Sequence, residues 1–104
     1  MPKIRVLAQA ARELQEAAAW YESEQDGLGA RLLVEFERGI DLLKDELPPL
    51  TPMPAAAGAA GARKLLLHRF PFAIIVIESG GEIVVIAVAH QSRRPGYWAS
   101  RIGA

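Results

Sequence analysis

Residues 72–89 constrain this chain more than any other stretch, because two β-rich runs, Phe72 to Glu78 and Glu82 to Ala89, meet at Gly80-Gly81. Isoleucine and valine crowd both runs, which favours strands. Adjacent glycines accept both positive φ values of a two-residue type I′ turn, so the segment predicts a β-hairpin. Such a turn sets Ser79 opposite Glu82. Counting outward pairs Ile77 with Val84, Ile75 with Ile86 and Phe72 with Ala89, and leaves Pro71 beside His90. Both strands are apolar at nearly every position, so both faces of the ribbon need cover. A further run, Arg63 to Arg69, predicts a third strand ahead of them.

The amino-terminal half can supply one cover. Lys3, Ile4, Arg5 and Val6 alternate polar with apolar, the pattern of a short strand with one wet face. The period then changes. Leu7, Ala11, Leu14, Ala18 and Tyr21 recur at steps of four and three, the stripe of an amphipathic helix over residues 9–25. Asp26-Gly27-Leu28-Gly29 reads as a tight joint. Leu28, Leu32, Phe36, Ile40, Leu43 and Leu47 then share one face of a second helix, which Pro48-Pro49 stops. Two helices with a short joint make an antiparallel hairpin. Residues 48–62 mix proline, alanine and glycine without charge and read as a loop. With one sheet face under the helices, the other needs the carboxyl-terminal tail or a partner.

The element order is therefore β-α-α-β-β-β, and 104 residues suit one domain over residues 1–104. No apolar run approaches the ~18 residues that cross a bilayer, and Met1 to Arg5 lacks the apolar core of a secretion signal. The expectation is a cytoplasmic protein with no membrane partner. Without cysteine, thiol chemistry is excluded. Two histidines and no cysteine argue against structural zinc. Gly27-Leu28-Gly29 lacks the further glycine and preceding strand of a dinucleotide fingerprint, so no metal and no cofactor is expected.

The net charge of zero hides an asymmetry. Residues 1–60 hold six Lys/Arg against ten Asp/Glu, a balance of −4, and residues 61–104 hold six against two, a balance of +4. A chain built mainly to grip nucleic acid is usually basic throughout, because phosphate neutralisation drives that affinity. Strong direct nucleic-acid binding is not expected. The basic charge gathers where the ribbon ends, in His90-Gln91-Ser92-Arg93-Arg94-Pro95-Gly96-Tyr97-Trp98, whereas residues 72–89 contain no Lys or Arg. This corner reads either as a phosphate-handling site or as a docking surface.

Several stretches, taken in order, resemble the RelE/ParE superfamily of type II toxin–antitoxin toxins. They are Ala17-Ala18-Ala19-Trp20-Tyr21-Glu22, Gly27-Leu28-Gly29, Arg69-Phe70-Pro71-Phe72, Ala87-Val88-Ala89-His90 and Arg93-Arg94-Pro95-Gly96-Tyr97-Trp98. The similarity covers most of the chain except residues 50–62. It implies an α+β fold, an antiparallel sheet packed on an amino-terminal helical hairpin. It also implies a toxin neutralised by a cognate antitoxin. RelE-like members cut messenger RNA on the ribosome; ParE-like members poison DNA gyrase without cutting nucleic acid, and such modules stabilise plasmids and inhibit growth.

RNA cleavage needs proton transfer and stabilisation of phosphate charge. His90 and Tyr97 are the candidates to move protons, and Arg69, Arg93 and Arg94 to fork onto phosphate oxygens. RelE-like nucleases resemble one another in presenting several Lys and Arg from the sheet itself, whereas residues 72–89 of this chain contain none. That departure favours the ParE-like reading, with Arg93, Arg94, Tyr97 and Trp98 as the target-binding candidates. A ribosome-dependent nuclease using Arg69, His90, Arg93 and Tyr97 is the alternative, and a decayed toxin that still binds its antitoxin is a third. Plainer roles stand beside these. His90 can finish a strand, Arg93 and Arg94 can be solvated or pair with the acidic helices, and Tyr97 and Trp98 can close the tail over the sheet. Trp20 and Tyr21 lie about 100° apart on their helix, so one alone faces the core squarely.

Overall fold

The computed structural model describes residues 3–45, 51–52, 61–94 and 96–102. The chain forms β1 (Lys3–Val6), α1 (Ala8–Glu24), α2 (Leu28–Lys44), β2 (Thr51–Pro52), β3 (Arg63–Leu66), β4 (Phe72–Ser79), β5 (Glu82–His90) and a 3-10 turn (Ala99–Arg101). The strands form one sheet in the order β1-β5-β4-β3-β2. This is the α+β fold the sequence predicts, with two refinements at the sheet edges. β2 through β5 pair antiparallel, but β1 joins β5 in parallel, so the sheet is mixed. Parallel neighbours need a long connection, and here α1, α2 and the strands β2 to β4 all lie between β1 and β5. Within the stretch read as loop, Thr51 and Pro52 pair with Lys64 and Arg63. The predicted helix stop at Pro48-Pro49, and Leu47 on the helix stripe, lie outside the described residues.

The helical hairpin is closed by a carboxylate from the first helix. Gly27, with φ 87°, opens α2 without any cap of its own. Glu22 reaches across instead: its Oε2 accepts from Gly27 N at 2.8 Å and its Oε1 from Gly29 N at 2.9 Å. These backbone donors hold the Glu22 carboxyl below its ordinary range. Gly29 is needed here for a second reason, because a Cβ would overlap the Ala18 carbonyl oxygen.

Two apolar layers flank the sheet. Ala10, Leu14, Ala18, Leu32, Phe36 and Leu43 from the helices meet Phe72, Ile74, Val76, Ile83, Val85 and Val88. On the opposite face Ala73, Ile75, Val84, Ile86, Ala87 and Ala89 pack with Trp98, and Tyr97 and Ile102 lie against them. The tail is thus the second cover. The helix stripe uses Ala10 where Ala11 was expected, one position round the same face. Tyr21 turns inward and Trp20 stays outside, 58% exposed.

The ribbon register is the expected one from the turn as far as Val76–Val85, including Ser79 with Glu82 and Ile77 with Val84. Beyond it the pairing slips by one: Ile75 faces Ala87, and Phe72 faces His90 rather than Ala89. The extra residue is Ile86. It sits with its neighbour Ala87 on the tail face, which is how a β-bulge reverses the alternation. β3 is also shorter than predicted, ending at Leu66, so His68 and Arg69 occupy the bend into β4.

Candidate functional site

The bulge and the short first strand together decide what the tail must do. β1 pairs with β5 only from Glu82 to Val85. Past that point the outer edge of β5 has backbone groups with no strand beside them, and such groups need partners when covered. Val88 N donates to Glu13 Oε1 at 3.0 Å, and Arg101 Nη1 donates to the Ile86 carbonyl at 2.9 Å. Glu13 on α1 and Arg101 in the 3-10 turn also bond each other, at 2.9 and 3.2 Å. A side-chain clip therefore replaces the missing length of strand.

Tyr97 belongs to the same clip. Its hydroxyl donates to Glu13 Oε2 at 2.5 Å. Burial, then the bond to Glu13 and its negative charge, push the phenol well above its ordinary range, against the opposing charges of Arg93 and Arg101. For Glu13, burial raises the carboxyl. The bonds from Arg101, Tyr97 and Val88 N–H outweigh it, and the group stands below its usual range. Arg93 lies over the Tyr97 ring with its guanidinium carbon 4.0 Å from the centroid, a cation–π contact.

His90 and the residues after it form the rim of this corner. The chain turns at once after β5: Gln91 N donates to the Pro71 carbonyl at 2.8 Å and Arg93 N to the His90 carbonyl at 3.0 Å. The Pro71 bend and the end of the ribbon are therefore neighbours, as the turn chemistry implied. His90 Nδ1 accepts from Ser92 N at 3.0 Å and lies 2.7 Å from Ser92 Oγ. That fixes Nδ1 as the acceptor and leaves the proton of the neutral ring on Nε2. A cavity of about 120 Å³ is lined by Lys64, His90, Arg93, Arg94, Tyr97 and Trp98 among others.

The expected residues divide into three. His90, Arg93, Arg94 and Tyr97 share this cavity. Trp98 lines its floor but is 1% exposed and fills the tail-side core, so its indole offers no surface for a target to grip. Arg69 is not part of the cluster: it lines a different cavity, against α2. Of the two plainer roles for Arg93 and Arg94, the structure has the solvated one: both are exposed, with no ion-pair partner among the described residues. Arg101 pairs with a helix instead, through Glu13. Glu13 and Arg101 were not singled out from the sequence. One of several glutamates on a mixed helix and an arginine 88 positions away give no local signal.

The chemistry open to this corner follows from those bonds. Three cationic side chains, Lys64, Arg93 and Arg94, and one imidazole face an open cavity, which suits an anionic group. Proton transfer is less well served. Tyr97 is committed to Glu13 and its proton is held more tightly than in a free phenol. Among the described residues no group of histidine, aspartate and glutamate is placed to hold a metal ion. Among them too, no helix is long and apolar enough to cross a membrane.

No family model matches the chain, and no curated protein matches it. A solved structure does: a chain of the chromosomal ParDE TA system from P. aeruginosa superposes with a TM-score of 0.71 at 19% identity, over 86% of this chain and 96% of that one. The likeness shows that the two chains share a fold.

Proposed function

We propose that this protein is the toxin of a type II toxin–antitoxin module, held inactive by a cognate antitoxin and acting in the ParE-like manner, without cutting nucleic acid. The fold shared with a chain of a ParDE TA system supports the module and the antitoxin partner. The observation that carries the mechanistic half is the Tyr97–Glu13 bond. The best-placed phenol in the corner is spent on holding the tail, and residues 72–89 add no Lys or Arg to stabilise a cleaved phosphate. What remains is a recognition surface: Arg93 and Arg94 exposed, with half-buried His90 and Lys64 beside them. Such a surface fits an acidic patch on a protein target, for which DNA gyrase is the proposed case, with growth inhibition and plasmid stabilisation as its consequences.

The test is to induce the chain alone in a bacterial cell, then map messenger RNA ends and measure plasmid supercoiling. Altered topology or a DNA-damage response is the expected result. Fresh cuts within translated codons would replace this reading with ribosome-dependent cleavage, in which His90 and Arg93 share the cavity. No effect on growth would point to a decayed toxin that keeps antitoxin binding alone.

A further inference from the structure

A cavity larger than the corner's lies away from it, against α2, and has no part in the reading above. It measures about 450 Å³, within the range of small-ligand sites, whereas the corner cavity is well below it. Its walls are one face of α2 and the bend between β3 and β4. Arg31, Val34, Glu35 and Arg38 stand on the helix at steps of three and one turn apart, and His68 and Arg69 face them from the bend. Three guanidinium groups and an imidazole thus surround a single carboxylate.

The charges are not used up internally. Arg38 pairs with Glu35 at 3.3 Å, and Glu35 is itself buried at 7% exposure. Among the described residues Arg31 and Arg69 have no ion-pair partner. Within the lining, three arginines against the Glu35 carboxylate leave a balance of +2, and Glu22 on the Gly27 amide brings one further negative charge to its edge. A second, independent observation concerns the backbone. Arg69 is the non-glycine residue with positive φ among those described, at 71°. Left-handed backbone disfavours any residue with a Cβ and persists where the surroundings impose it, often at functional positions. Here it places an arginine where glycine or asparagine would sit more easily. The α2 amino terminus does not account for the cavity's charge, because Glu22 already takes the Gly27 and Gly29 amides.

We propose that this cavity is an oxyanion site that takes a phosphate group, forked by Arg31 and Arg69, with Arg38 held in position by Glu35. Planar guanidiniums bind phosphate oxygens in pairs, and two or three converging on one pocket is the usual arrangement for that ligand. The group can arrive as free phosphate or on a mononucleotide; both present the same tetrahedral dianion.

The test titrates the full chain with inorganic phosphate, then with adenosine monophosphate, at constant ionic strength held with chloride, and follows backbone amide shifts by NMR. Saturable shifts at Ala30, Arg31, His68 and Arg69 are expected. The same affinity for both probes assigns free phosphate; tighter monophosphate binding, with shifts spreading along the cavity, assigns a nucleotide. Arg31→Gln and Arg69→Gly should each weaken binding about tenfold, the loss of one charge-assisted fork. Arg69→Gly suits the φ of 71°, so its loss of binding is not a loss of fold. The proposal is overturned if neither probe saturates, if the arginine variants bind as the parent does, or if an acidic peptide binds there while phosphate does not.

Discussion

Replacing Glu13 by alanine should cost this fold far more than removing any surface charge, and the reason lies in how many groups one carboxylate satisfies. It accepts from Arg101 twice, from the Tyr97 hydroxyl and from Val88 N. Each charge-assisted bond is worth about 1.5–3 kcal/mol when removed alone, but bonds sharing one carboxylate do not add. The side chains of Arg101 and Glu13 are 16% and 18% exposed, nearer to a buried pair than a surface one. Breaking a buried pair costs about 3–5 kcal/mol and an exposed pair about 0–1 kcal/mol, which places Glu13→Ala at about 3 kcal/mol. Against a total stability of about 5–15 kcal/mol, that loss is easily measured. The assay is urea unfolding of Glu13→Ala, Arg101→Ala and the double variant, with the midpoint moving at unchanged slope. A coupling energy of about 2 kcal/mol is expected for the pair. The Arg63–Glu78 pair, 38% and 68% exposed, serves as the internal standard and should couple by less than about 1 kcal/mol. If the two cycles return the same coupling, the clip is not what fastens the tail.

Further consequences can be measured in parallel. Because the folded pKa of Glu13 lies below its unfolded value, its contribution is full above the ordinary carboxylate range and fades as pH falls through the folded pKa. Glu13→Gln should therefore flatten the acid limb of the stability profile. Tyr97 is raised, so the opposite sign holds: its contribution is full below about pH 10 and is lost as pH climbs through the folded pKa. Ultraviolet titration against Tyr97→Phe should show a phenol ionising above the normal tyrosine range; an ordinary midpoint would refute the Glu13 bond. Gly29→Ala should destabilise by about 1–3 kcal/mol, since its Cβ meets the backbone oxygen of Ala18. Gly39→Ala meets the tip of Ile74 at 2.7 Å, which can move, and gains about 1 kcal/mol of helix propensity, so calorimetry should show it nearer neutral. Arg93→Ala with Arg94→Ala should abolish toxicity in an induction assay while the melting curve shifts little, because the double variant gives up the Arg93–Tyr97 stack, worth about 0.5–1 kcal/mol.

The sequence exposes most clearly whatever local chemistry dictates. Gly80-Gly81 takes φ 57° and 81°, and the register it sets is right for the first four pairs. The slip at Ile86 was hidden because Ile83 to Ala89 is apolar throughout, so no change of alternation marks the residue where the faces exchange. Helix stripes were legible to within one position, as expected where burial follows the 3.6-residue period. The corner at His90 followed from the hairpin, but its contents depended on contacts far apart in the chain. Arg69 looks like a neighbour of His90 by register. A left-handed backbone and the early end of β3 place it on the α2 side instead. Glu13 reads as one more solvated charge beside Glu16 until Tyr97 and Arg101 return to it.

That return explains why the recognition corner stands where it does. A four-residue β1 covers half of β5, and the bulge at Ile86 turns the uncovered half so that its Ile86 carbonyl and Val88 N–H face outward. A longer first strand would satisfy them without the tail. Instead the tail crosses the apolar face opposite the helices, burying Trp98, and ends by supplying Arg101 to the edge. A segment fixed at Trp98 and Arg101 must begin its crossing at the end of β5. The residues that make the reversal, Gln91 to Arg94, therefore stand exposed beyond the end of the sheet. Exposure of Arg93 and Arg94 is in this sense a consequence of edge satisfaction. Releasing the clip should loosen the corner before it unfolds the ribbon: in Glu13→Ala, amide exchange should quicken over residues 97–102 while Ile74 to Val76 stay protected. Equal acceleration in both regions would mean that the tail and the sheet open as one unit, and that the corner owes its position to the whole core and not to one carboxylate.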